Sequence, residues 1–419
     1  MCKIGFENRI ANCSRRTGYP NNPTSMRIRV IISISLLVLS VQCTRRNDTS
    51  APLQAVSDAV LTVGAAQFER YLPGLSGKSV ALVVNHTSMV GETHLADTLK
   101  ALGINLVRIF APEHGFRGTA DPGEHVEDSV DRRLGLPVVS LYGDNRKPKP
   151  DQIEDIDVVI VDIQDVGTRF YTYISTLHYV MEACAESDKK LIVLDRPNPN
   201  AYMDGPTLQP AFKSFVGMHP IPVVHGVTVG ELAQMINGEG WLGDSTKCEL
   251  EVVPVSNWSR SEFYSCPVRP SPNLPDDQSI RLYPSLCFFE GTVISVGRGT
   301  QTPFQVIGNP LLKDMPYRFT PVSIEGMMKN PPFENEVCYG IDLRNATVER
   351  RLNLQYVIDM YNAYPDKKNF FTGYFNTLAG NEILRTQIEE GASEETIRES
   401  WQPGLQRYME MREKYLMYP

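Results

Sequence analysis

The residues best suited to chemistry lie in the segment Phe110–Gly118, reading FAPEHGFRG. An apolar run, NLVRIFA at Asn105–Ala111, stops at Pro112, and Glu113, His114 and Arg117 follow with Gly115 and Gly118 between and after them. That combination offers a carboxyl group that can give or take a proton, an imidazole that can relay one, and a fixed cation. A surface turn with a local ion pair would use the same residues, so the elements that position them must decide.

Those elements alternate. Continuous apolar runs at Ser79–Asn85, Asn105–Ala111, Val138–Leu141, Asp157–Asp162 and Lys190–Asp195 read as strands buried on both faces, with a weak sixth at Val223–Val224. Helical spacing occupies His94–Leu102, Thr172–Ser187 and Thr228–Asn237, the last opened by a capping-box pattern that gives Glu231 a structural role. Alternating strands and helices predict an α/β fold with a doubly wound, mostly parallel sheet, which binds ligands beyond the carboxyl ends of its strands. Polar and ionisable groups collect at those ends: Asn85 and His86, then Glu113, His114 and Arg117, then Tyr142, then Asp162, Asp165 and Arg169, then Asp195, Arg196 and Asn198, and finally His225.

Other readings of the fold find little support. The one G-x-G-x-x-G match, Gly238–Gly243, follows a helix instead of a strand, and no P-loop pattern is present, so nucleotide binding is not expected. The 419-residue chain has a net charge of −8 and no basic tract after its leader, which argues against nucleic acid as a partner. Residues 1–60 read as leader and linker: Met26 looks like the true start, a basic head precedes the apolar run Val30–Val41, and Cys43 follows. The expectation is export, either periplasmic or lipid-anchored at Cys43, with a cleaved secretion signal as the other outcome. Downstream, Cys184, Cys248, Cys266, Cys287 and Cys338 lack metal-site spacing, and Cys184 falls on the apolar stripe of its helix. After the Pro-rich stretch Cys266–Asp276 the texture changes, placing a catalytic domain at 61–281 and a smaller α+β auxiliary domain at 282–419, with helices over Leu352–Tyr361 and Ser393–Tyr415.

Carboxylates dominate the candidate chemistry: Glu113, Glu124, Asp162, Asp165, Asp195 and Glu290. Glycoside hydrolysis needs two with separated proton affinities. Glu290, inside the apolar run LCFFEGTV, is the expected proton holder by desolvation, or else the buried partner of an arginine; Glu113, beside His114 and Arg117, is the expected ionised group. A metal-dependent hydrolase or deacetylase using Asp162, Asp165, His86, His114 and His225 is a second reading, and a non-enzymatic envelope glycan-binding protein a third.

Taken together, NHTS at 85–88, APEHGFRG at 111–118, DIQDVGTRFYTY at 162–173, LDRPNP at 194–199, FFEGT at 288–292 and GRGT at 297–300 resemble the exo-β-N-acetylmuramidase family of peptidoglycan recycling, from about Phe68 to the C-terminus. The resemblance implies a Rossmann-like catalytic domain, a smaller second domain, no cofactor, and release of N-acetylmuramic acid from the non-reducing end of peptidoglycan fragments. It implies Glu113 as the first catalytic residue, and Glu290 and His114 are taken with it. Asn85, Asp162, Asp165, Tyr171, Asp195, Arg196, Asn198 and His225 are expected to bind substrate, with Arg117, Arg169 or Arg298 meeting the lactyl carboxylate.

Overall fold

The run SVALVVN forms the strand Val80–Val84, buried at every position in the computed structural model, which describes residues 60–117, 128–243 and 246–419. The leader with Met26 and Cys43, as well as Glu124, lies outside the described residues. Val80–Val84 sits in the middle of a seven-stranded sheet ordered Glu249–Val253, Lys190–Leu194, Val158–Asp162, Val80–Val84, Leu106–Ala111, Leu136–Ser140, Ser129–Asp131. All neighbours are parallel except Ser129–Asp131, an antiparallel edge strand. The chain therefore starts at the centre and winds outward on both sides, as in doubly wound sheets, and the predicted fold class holds.

The weak sixth strand lies elsewhere. Pro222–His225 pairs antiparallel with Met203–Thr207 in a separate two-stranded sheet, and Glu249–Val253 takes the place beside Lys190–Leu194. A parallel neighbour needs a crossover long enough to return the chain. The helix Val229–Gly238 supplies one before Glu249–Val253, whereas only a single 3-10 turn, Pro210–Phe212, separates Lys190–Leu194 from Pro222 besides the hairpin strand.

Helix Tyr173–Glu186 buries Leu177, Val180, Met181 and Cys184 on its sheet-facing side. Helix Val229–Gly238 begins with the Thr228–Glu231 capping box, and the Glu231 carboxylate also meets Arg260 and the backbone N–H of Met417. Beyond residue 281, which falls inside helix Asp277–Leu286, come the antiparallel strands Val306–Asn309, Tyr317–Phe319 and Cys338–Asp342 and a set of helices ending with Glu394–Arg412. One apolar core runs from Val161 and Leu177 through Phe288 to Leu354, Phe375 and Trp401, so the described residues form one compact unit. The C-terminus closes back on the sheet: the Tyr408 hydroxyl donates to the His225 carbonyl at 2.8 Å, and that of Tyr418 donates to Asp195 Oδ2 at 2.5 Å. The five described cysteines are free thiols. Among the described residues no helix is long and apolar enough to cross a membrane.

Candidate active site

The loops beyond the strands' carboxyl ends and the C-terminal part enclose a cavity of about 350 Å³. Glu113 and His114 reach it from the loop after Leu106–Ala111, Tyr142 and Arg146 from the loop after Leu136–Ser140, and Tyr171 and Thr172 from the start of helix Tyr173–Glu186. Phe215 and Ser271 arrive on irregular loops, while Glu290, Arg298 and Tyr374 come from the C-terminal part.

The FAPEHG segment folds as a tight turn closed by the Gly115 N–H on the Pro112 carbonyl at 2.9 Å. His114, third in that turn, takes a φ of 70°, a left-handed conformation uncommon outside glycine and typical of that turn position. The turn buries the imidazole, with Nε2 3.4 Å from the Ser271 hydroxyl, and leaves Glu113 half-buried at the cavity wall. The Thr172 hydroxyl donates to Glu113 Oε2 at 2.7 Å, and the Tyr142 phenol stands near enough to feel the Glu113 charge. Burial, then the Glu113 charge, raises the Tyr142 phenol well above its ordinary range, so it stays protonated beside the carboxylate.

Glu290 lies across the cavity in the 3-10 turn Cys287–Gly291. The apolar run around it does not leave it alone. Arg298, carried on the loop between Gly297 and Gly299, donates to Glu290 Oε1 at 2.6 Å, and the Cys287 thiol lies 3.6 Å from Oε2. An arginine-paired carboxylate is a hydrogen-bond acceptor, so Glu290 is the arginine partner of the two alternatives that the sequence left open. Tyr374 registers both carboxylates: burial raises its phenol first, and the charges of Glu290 and Glu113 add to the shift.

Of the residues expected at the site, Glu113, His114, Tyr171, Glu290 and Arg298 line this cavity. Tyr171 presents a mostly buried ring, its hydroxyl donating to the Pro270 carbonyl at 2.8 Å. The others lie outside the lining, with most of their polar atoms bonded within the architecture. Asp162 and Arg196 form a buried pair at 2.5 Å. Asp165 accepts from the Gly167 N–H at 2.6 Å, and its second oxygen and the His225 Nε2 are buried without hydrogen-bond partners among the described residues, the two side chains 3.5 Å apart. Gly167 itself, at φ +83°, could carry no Cβ, which would fall 2.2 Å from Asn198 Oδ1. Asn198 in turn holds the Val227 carbonyl and the Asn200 N–H, and Asn85 holds the Thr87 N–H and hydroxyl. Asp195 accepts from Thr228, Gly230 and Tyr418, and burial pushes its carboxyl up to about 6 against those three bonds.

The expected lactyl-binding arginines are also spoken for. Arg169 is fully buried and donates to the carbonyls of Pro206, Ile221, Leu378 and Ala379. Arg117 points to a different hollow and pairs with Asp131 at 3.0 Å, and Arg298 is held by Glu290. Nor do the ligands of the metal reading converge: among the described residues no three His, Cys, Asp or Glu side chains form a cation site. His86 contacts the Arg269 carbonyl at 2.9 Å, and burial pushes its imidazole down to about 4.

Sequence reasoning missed Thr172, Arg146, Phe215, Ser271 and Tyr374 as lining residues. Thr172 stood inside the long DIQDVGTRFYTY motif and Tyr142 at a strand end. Arg146, in the polar run DNRKPKP, and Phe215 and Tyr374, in irregular or exposed segments, gave no periodic signal.

Two carboxylates, Glu113 and Glu290, line one cavity at the mouth of a doubly wound sheet, the pair of groups that glycoside hydrolysis employs. Residues 80–278 and 281–418 match the N-terminal and C-terminal parts of the family described as exo-beta-N-acetylmuramidase NamZ. The chain belongs to that family. It is 39% identical over 373 residues to the peptidoglycan beta-N-acetylmuramidase NamZ of Bacillus subtilis (strain 168), covering 83% of this chain and 89% of that protein. Crystal structures of two DUF1343 family proteins from Bacteroides fragilis NCTC 9343 superpose with TM-scores of 0.81 and 0.72 at 45% and 30% identity, each match covering 86% of this chain and 99% of the other.

Proposed function

We propose that this enzyme hydrolyses the β-glycosidic bond of a terminal N-acetylmuramic acid, working from the non-reducing end of peptidoglycan fragments and so feeding cell-wall recycling. The observation that carries the reading is the pairing of Glu113 with Glu290 across one cavity, with Glu113 fixed by the Thr172 hydroxyl. Glu113 is the group that exchanges a proton with the glycosidic oxygen and water. Glu290, kept as an acceptor by Arg298, faces the positive charge that develops on the sugar ring. His114, held in its left-handed turn, backs Glu113 and fixes the wall beside it. The cavity is sized for about one sugar, which supports action at a chain end over action within a strand. The apolar segment ending at Cys43 supports an exported enzyme, in the periplasm or anchored to the envelope, where this substrate occurs.

The test is release of a chromophore from a synthetic β-N-acetylmuramic acid glycoside. Turnover by the wild type that falls at least about 100-fold in Glu113→Gln supports the proposal. A protein that binds the glycoside without turning it over would be a glycan-binding protein, and the proposal would fail.

A further inference from the structure

An anionic substrate entering beside Glu113 and Glu290 needs a cation that neither carboxylate already occupies. The cavity's arginines are Arg146 and Arg298, and Arg298 is bound to Glu290. Arg146 makes no ion pair with any described carboxylate. Its Nε donates to the Gly143 carbonyl at 3.0 Å, and its guanidinium lies 4.5 Å from the centre of the Phe215 ring. Phe215 is fixed in turn: its carbonyl accepts from the Ser175 hydroxyl at 2.7 Å, and its ring stacks on Tyr179 at an interplanar angle of 17°. A guanidinium held at Nε and on one face keeps its two terminal nitrogens for an outside ligand, the edge that meets a carboxylate through two parallel hydrogen bonds.

Arg146 is also close to the proposed chemistry. Tyr142 links it to Glu113 along the cavity wall: its ring contacts Phe215, and its phenol feels the charges of Glu113 and Arg146 in opposition. What separates N-acetylmuramic acid from N-acetylglucosamine is a lactyl ether at O3 ending in a carboxylate. We propose that Arg146, seated on Phe215, is the specificity residue that receives this lactyl carboxylate and so selects muramic acid over glucosamine. The inference rests on the function proposed above and replaces Arg117, Arg169 and Arg298 in that role.

The experiment compares wild type, Arg146→Met and Arg146→Lys on matched β-N-acetylmuramic acid and β-N-acetylglucosamine glycosides. It also measures inhibition by free N-acetylmuramic acid against its lactyl methyl ester. Arg146→Met is expected to lower kcat/KM for the muramic glycoside on the order of 10- to 100-fold, chiefly through KM, as for loss of one charge-assisted contact. It should leave the glucosamine glycoside unchanged and erase the preference for the acid over its ester. Arg146→Lys, which keeps the charge but not the fork, should recover part of that preference. Equal losses on both glycosides, or an undiminished preference for the acid in Arg146→Met, would overturn the inference alone. Absence of wild-type turnover of the muramic glycoside would overturn the proposed function and this inference with it.

Discussion

The hydroxyl of Thr172 lies 2.7 Å from Glu113 Oε2, joining the start of the helix Tyr173–Glu186 to the turn that follows Leu106–Ala111. That donor sets the direction of the carboxylate, and the Tyr142 phenol stands beside it. Thr172→Val keeps the shape and removes the donor. It is expected to lower kcat about 10- to 100-fold with little change in KM, since a hydrogen bond to a charged group contributes about 1.5–3 kcal/mol. Tyr142→Phe, beside the same carboxylate, should have a smaller effect, and steady-state kinetics on the muramic glycoside check both. A change confined to KM would mean that these hydroxyls touch substrate instead of orienting Glu113.

Glu290 and Arg298 should act as a unit. Removing either leaves the other in a half-buried site without its partner. Glu290→Gln and Arg298→Met are each expected to reduce kcat/KM by an order of magnitude or more, and the double variant by no more than the worse single one. A double-mutant cycle measures this, and additive losses would show that the two residues serve separate roles.

Arg169 joins the two halves of the chain. Its guanidinium satisfies the carbonyls of Pro206 and Ile221 on one side and of Leu378 and Ala379 on the other, next to the cavity-lining Thr377 and Leu378. Gly380 must be a glycine here: it has a φ of +74°, and a Cβ would sit 2.6 Å from an Arg169 nitrogen. Arg169→Met would strand four buried carbonyls. The expected cost is about 4 kcal/mol or more, at about 1–3 kcal/mol for each unmet acceptor, read as a lower urea midpoint. An unchanged midpoint would mean that water replaces the guanidinium.

The central sheet was readable because strands buried on both faces require unbroken apolar runs, and Val80–Val84 and Val158–Asp162 have them. Pro222–His225 has the same texture but lacks a preceding crossover helix, and a short run cannot announce its partner. The polar residues past the strands were readable as a cluster but not by role. Asp162, Asp195 and Asn198 meet arginine, hydroxyl or backbone groups on distant loops and Asp165 the backbone of its own loop, and residue type does not distinguish a carboxylate that shapes a loop from one that faces a ligand. Arg146 failed to stand out for the opposite reason. A cation in a charged surface run looks solvated, and only the fold shows Phe215 beneath it.

Asp195 gives stability a pH dependence with a definite sign. Burial raises its carboxyl from 3.8 to about 6 in the folded protein, so between those values the native state binds more protons than the unfolded chain. Its contribution to stability is therefore most favourable near pH 4 and diminishes as pH rises to about 6, by on the order of 2–3 kcal/mol. Half-buried His86 and buried His178, each pushed down to about 4, act oppositely: their neutral forms stabilise above pH 6.5, and that stability is lost as pH falls toward 4. Because these terms overlap, the wild-type curve alone is their sum. The difference between wild type and Asp195→Asn isolates the carboxyl, since the histidines are common to both. That difference, from urea denaturation at intervals between pH 4 and 7, should shift against the wild type as pH rises and level off above about 6. A difference that stayed constant with pH would mean that Asp195 is ionised throughout, with Thr228, Gly230 and Tyr418 fully offsetting its burial.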